Sequence, residues 1–141
     1  MSTIYSILPP NIPSAGVYYF TTNAGIQYEV RFGRKKNDLL NVTIVFGVIN
    51  EEYEGEEYIL TNKGDVFRVM NTISKIIELY NAQHPNIRIY EFTGEPTEGE
   101  PLDKPTKRLR MYVRYVKRLF HEVYWDMIIE KNKITVTRKL V

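Results

Sequence analysis

Gly64, Asp65 and Arg68 stand at the head of a stretch with helical spacing, and their types could do chemistry there. Glycine supplies turn geometries closed to other residues. An aspartate at a helix start accepts from free backbone N–H groups. An arginine one turn on can pair with that carboxylate or with an anion from outside. The same trio is also what a plain strand-to-helix turn and its cap require. A second group is basic. Lys107, Arg110, Arg114, Lys117 and Arg118 share one side of the segment 107–120 when it is projected at about 100° per residue. Such a face can track a nucleic-acid backbone, dock on a protein, or face water. Tyr115 and Met111 fall at its edge, where a ring could stack on a base.

Other chemistry finds less support. His84 and His121 are the only histidines. Neither sits in a His-x-Glu or His-x-x-x-His arrangement, and both flank expected helix ends. Cysteine is absent, which excludes disulfides, cysteine nucleophiles and thiolate-bound zinc. Ser74 falls within a helix, and Ser2, Ser6 and Ser14 precede the first strand, so no nucleophile–base pair forms. Glu51, Glu52, Glu54, Glu56 and Glu57 could meet a hard cation, yet no Asp-x-Asp-x-Asp-Gly pattern supports calcium. No metal and no cofactor is expected. Glu95, Glu98, Glu100 and Asp103 form a second acidic group, ahead of the basic stretch from Lys104 to Arg118. Charge segregated in this way can steer a partner although the net charge is only +2.

The elements that must position these residues follow from pattern. A length of 141 residues, 43% hydrophobic and 26% charged, suits one α+β domain over residues 16–141. Pro9, Pro10 and Pro13 make residues 1–15 an extended arm, whose Ile4, Tyr5, Ile7 and Leu8 could pack on the domain or on a neighbouring subunit. No run approaches the roughly 20 apolar residues of a membrane span. The start lacks a signal-peptide pattern, so a cytosolic protein is expected. VYYFTT (17–22) and IQYEVRF (26–32) read as a hairpin around Asn23-Ala24-Gly25. Residues 33–38 read as a loop, VTIVFGV (42–48) as an interior strand, and YILT (58–61) as a short one. Val66, Val69, Met70, Ile73, Ile76, Ile77 and Tyr80 give a helix from Asp65 to Pro85 its buried stripe. IRIYEF (87–92) returns as a strand, parallel to YILT. Residues 93–105 read as a long acidic loop. In the second helix, Leu109, Tyr112, Val113, Val116, Leu119 and Phe120 face inward. Residues 123–129 and 134–140 close the chain as strands. Trp125, Tyr124, Phe120 and Phe92 are expected in the core. The expected fold is thus a mixed, mostly antiparallel sheet of about seven strands with two helices.

That order, β-β-β-β-α-β-α-β-β, resembles the Gcn5-related N-acetyltransferase fold. RMYVRYVKRLF is similar to that family's LYEKLGF-like segment, and the resemblance implies Tyr112 as the matching tyrosine and acetyl-CoA as ligand. The family's phosphate loop is glycine-rich. TNKGDVF offers Gly64 alone and sets Asp65 where a phosphate would sit. A second resemblance covers about two-thirds of the chain. FTTNAGIQYEVRF, TNKGDVFRVMNTISKII and RLRMYVRYVKRLF resemble a group of small uncharacterised phage proteins with TGTGDAFRVFSTV-like and RVKLYDRLVKRF-like segments. Gly64, Asp65, Phe67, Arg68, Val69 and Thr72 match the first segment. Arg110, Tyr112, Arg114, Val116, Lys117, Arg118 and Phe120 match the second. The resemblance implies a phage or phage-derived accessory protein in the host cytoplasm or the virion. The leading expectation is a non-enzymatic one that binds another protein. A divergent acetyl-CoA-dependent acyltransferase and a nucleic-acid-binding domain using the basic helix are the alternatives.

Overall fold

The computed structural model describes residues 4–11, 16–48, 65–93, 107–130 and 133–139. Its elements are β1 (Val17–Thr21), β2 (Gln27–Lys35), β3 (Asp38–Val48), α1 (Asp65–Gln83), β4 (Ile89–Thr93), α2 (Lys107–Leu119), β5 (Trp125–Glu130) and β6 (Lys133–Arg138). The class is α+β. Among the described residues six strands form a mixed sheet in the order β1-β2-β3-β4-β6-β5, with β3 parallel to β4 and the pairs β1–β2, β4–β6 and β5–β6 antiparallel. The chain divides into two compact units, Met1–Phe32 with Val45–Pro85, and Gly33–Ile44 with Asn86–Val141.

The first unit is a hairpin, a helix and an N-terminal segment. Gly25, at φ 82°, closes the β1–β2 turn with its N–H on the Thr22 carbonyl at 2.9 Å. The alternation read in β2 holds: Tyr28, Val30 and Phe32 are buried, and Gln27 and Arg31 are exposed. In α1, Val69, Met70, Ile73, Ile76, Ile77 and Tyr80 are buried, as their spacing requires. Phe32 stacks on Tyr80 with ring centroids 4.0 Å apart, and Phe20 on Tyr28 at 5.0 Å. Each such pair contributes about 0.5–1.5 kcal/mol beyond its area. The helix stops where Pro85 offers no N–H, and the His84 ring lies over Tyr80.

The N-terminal segment is tied to this unit. Leu8 and Tyr19 exchange two backbone hydrogen bonds of 2.8 and 3.1 Å, which cover β1. Tyr5 is buried, stacks on Phe20, and donates its N–H to the Thr72 hydroxyl at 2.8 Å.

In the second unit the buried apolar residues are Val42, Ile44, Ile87, Tyr90, Phe92, Ile134 and Val136 together with Tyr112, Tyr115 and Val116 of α2, Phe120 just after it, and Trp125. Phe120 meets Tyr90, Phe92 and Trp125 at centroid distances of 5.3, 6.0 and 4.9 Å.

Four expectations need correction. Residues 33–38 are not all loop: β2 runs to Lys35 and β3 starts at Asp38, leaving Lys36-Asn37 as the turn. Both faces are wet there, so charged side chains suit a strand. The parallel partner of β4 is β3, and β6 fills its other side. YILT, read as a seventh strand parallel to β4 and near it, lies outside the described residues. The buried face of α2 is turned toward Tyr115, at 7% exposure, while Val113 is only half-buried. Tyr124 is not core; it is 63% exposed.

Candidate binding surface

The Arg68 region works as an internal clamp. The Arg68 guanidinium lies 3.9 Å from the centre of the Tyr5 ring, and Nη2 donates to the Ile4 carbonyl at 3.4 Å. Thr72, one turn on, donates its hydroxyl to the Arg68 carbonyl at 2.7 Å while accepting from Tyr5. A guanidinium over an aromatic face contributes about 0.5–2 kcal/mol depending on its desolvation. Arg68 and Thr72 therefore hold the N-terminal segment on α1. Gly64 and the side chain of Asp65 lie outside the described residues, as do both acidic groups, 51–57 and 95–103.

The basic face of α2 is where its spacing puts it. Arg110, Arg114, Lys117 and Arg118 are exposed, and the side chain of Lys107 is outside the described set. Lys117 and Arg118 lie in the last turn, where positive charge complements the helix dipole. Arg118 covers the Tyr115 ring at 4.8 Å, so that ring is not offered for stacking on a base. Tyr112 is 3% exposed and belongs to the core face of α2. A general-acid phenol must reach a group entering from solvent, and burial removes Tyr112 from such a route.

His121 shapes the exit from α2. Its carbonyl accepts from the N–H groups of Tyr124 and Trp125, both at 3.0 Å. Its Nδ1 accepts from the Val123 N–H at 3.2 Å. Among the described residues no cluster of three metal-ligating side chains occurs, and no helix is long and apolar enough to cross a membrane.

Among the described residues one carboxylate is buried. Glu91 sits at 7% exposure in β4, between Thr43 of β3 and Thr135 of β6. It pairs with Lys35 and, at 3.2 Å, with Lys133. Burial raises its pKa, and the hydrogen bonds and charges of Lys35 and Lys133 outweigh that, so the net shift is downward from 4.5. A lowered folded-state pKa gives stability that is complete above the unfolded value and lost as the pH falls through the folded one. From about pH 5 to about pH 3, wild type should lose unfolding free energy faster than Glu91→Gln. The variant should be less stable at neutral pH by roughly 1.5–3 kcal/mol, the scale of hydrogen bonds to charged groups. Urea titrations across that range test both, and parallel curves would show that Glu91 is not coupled to folding.

The surface that remains is on β5. Val123, Tyr124, Ile128 and Ile129 are 59%, 63%, 53% and 45% exposed. They follow one another along the approach to β5 and the strand itself. Beside them is an open pocket of about 800 Å³. Phe120, Trp125, Met127 and Ile129 give it apolar walls, and Lys117, His121 and Lys139 contribute polar groups. The Arg138 guanidinium lies 4.5 Å from the centre of the Trp125 ring and helps fix the indole. The sequence offered one signal for this surface, the unalternated apolar run MII inside WDMIIE, which a half-buried strand does not need. No protein-family model, no curated protein and no solved structure matches the chain.

Proposed function

We propose that the chain is a protein-binding module that docks its partner on the β5 side of the second unit. The observation that carries this is the exposure of four apolar side chains, Val123, Tyr124, Ile128 and Ile129, on β5 and just before it, next to an open pocket. Exposed apolar side chains gathered beside a pocket mark interaction sites in folded proteins. The resemblance to small phage proteins supplies the setting, an accessory protein of the virion or one that modulates a host system. A second reading, nucleic-acid binding, draws on the exposed Arg110, Arg114, Lys117 and Arg118 of α2.

One capture experiment separates the two. Wild type, Tyr124→Ser/Ile128→Ser and Arg110→Glu/Arg114→Glu are immobilised and exposed to virions and host lysate, with and without nuclease. Both altered patches are exposed, so stability should stay within about 0.5 kcal/mol. The protein-binding reading expects capture that survives nuclease and disappears with the serine pair. Capture lost to nuclease and to the glutamate pair would replace it with the second reading. Equal capture by all three proteins would sink both.

A further inference from the structure

We infer that β5 takes its partner by strand addition, and that the added strand is basic at both ends of a three-residue apolar segment. This rests on the reading of the β5 side as a docking surface and names what docks there.

The backbone comes first. The Lys139 N–H donates to the Tyr124 carbonyl at 2.9 Å, which sets the phase of the β5–β6 ladder. Alternate residues of an antiparallel strand bond to the same neighbour. The Tyr124 carbonyl and the backbone groups of Asp126, Ile128 and Glu130 therefore turn to β6. Met127 and Ile129 present N–H and C=O on the opposite side. Among the described residues no strand lies there, and β5 is the last strand of the sheet. By contrast, β1 has its free side covered by the Leu8 bridge. An edge strand is blunted by lysine, proline or a covering segment. WDMIIE contains neither lysine nor proline.

The side chains then select the occupant. Asp126, Ile128 and Glu130 point to one face, and all three are exposed. An antiparallel second copy centred on Ile128 would set Asp126 opposite Glu130 at both ends. Like charges directly opposite are destabilising, so self-pairing is disfavoured in that register. A strand with lysine or arginine at positions i and i+4 instead meets both carboxylates. The Lys139 ammonium is 3.9 Å from Asp126 with both side chains well exposed, a weak pair that a better-placed cation can displace. Residues i+1 and i+3 of the added strand face the other way, toward the walls made by Phe120, Trp125, Met127 and Ile129. Apolar side chains fit there. Main-chain bonds would give the affinity, and the pocket and carboxylates the specificity.

The test uses two fluorescein-labelled peptides, Thr-Lys-Val-Ile-Val-Arg-Thr and its charge-reversed form Thr-Glu-Val-Ile-Val-Glu-Thr, titrated with the full chain by anisotropy. Wild type should bind the basic peptide at least about tenfold tighter. Asp126→Lys/Glu130→Lys should reverse that order. Ile129→Pro should weaken binding at least about tenfold, because it deletes an outward N–H and spares the β6 ladder. A thermal melt confirms that each variant folds, and the exposed lysine pair decides the matter if the proline variant does not. No binding of the basic peptide, equal affinity for both, or indifference to both substitutions would overturn strand addition. Capture still lost in Tyr124→Ser/Ile128→Ser would then leave the docking surface standing with another mode of contact, whereas capture unaffected there would remove the surface as well.

Discussion

Phe120→Ala should lower the unfolding free energy by about 3–5 kcal/mol, the usual cost of truncating a buried aromatic ring. Phe120 is 3% exposed and touches three other rings, those of Tyr90, Phe92 and Trp125. Two of these partners come from β4 and one from the start of β5, so the ring joins α2 to two strands. The void left by alanine has little to fill it, since its neighbours are stiff aromatic rings. Trp125 is the single tryptophan of the chain, and its ring centre lies 4.9 Å from that of Phe120. Its emission therefore reports directly on this packing. In the native variant the emission should shift to the red as water reaches the indole, and the urea midpoint should fall. Phe120→Leu should recover part of both. A loss below about 1 kcal/mol with unchanged emission would mean that the ring cluster is not what holds α2 down. The same substitution strips one wall from the pocket beside β5, so peptide binding should weaken even at temperatures where the variant is folded.

Much of the fold could be read from pattern because one signal persisted. The stripe of α1, from Val66 to Tyr80, repeats through about four turns, and a 3.6-residue period sustained that long admits one buried face. In α2 the segment is shorter and aromatic on more than one side. The reading placed Tyr115 at the basic edge, and the structure rotates the helix enough to bury it under Arg118. Local pattern also could not find the partner of Arg68. The arginine was weighed against Asp65, whose side chain lies outside the described residues, or an outside anion; its described contacts, Ile4 and Tyr5, are over sixty residues away in sequence. The strand from Gly33 to Lys35 was invisible for a different reason: a hairpin end wet on both faces carries no hydrophobic alternation. The candidate docking surface was hidden most completely. Whether WDMIIE is an edge or an interior strand depends on sheet order, and no window on one strand contains that. Tyr124 was assigned to the core on residue type alone, and it stands in solvent because His121 turns the chain before β5 begins.

Gly16→Ala should cost about 2–4 kcal/mol, more than Gly25→Ala at about 1–2 kcal/mol, and the difference isolates a single contact. Both glycines have positive φ, 68° and 82°. Any Cβ in that region meets the following carbonyl oxygen, so each substitution carries the same kind of backbone strain. Around Gly25 nothing lies within 4 Å of the added atom, and strain is the whole effect. At Gly16 the Cβ would sit 2.8 Å from the backbone carbonyl oxygen of Phe32. That oxygen cannot swing aside as a side chain could. The Phe32 N–H donates to the Gly16 carbonyl at 2.8 Å, so the two residues are held at short range by their own hydrogen bond. Relief requires moving β2 at Phe32, whose ring stacks on Tyr80 at 4.0 Å with the planes 3° apart. The disturbance thus passes from the residue ahead of β1 into the packing of α1. Urea denaturation of the two variants measures the comparison. Equal losses would show that positive φ alone explains both glycines. A larger loss at Gly16, with weakened protection of α1 amides in hydrogen exchange, would show that the first unit is built around the close approach of these two backbones.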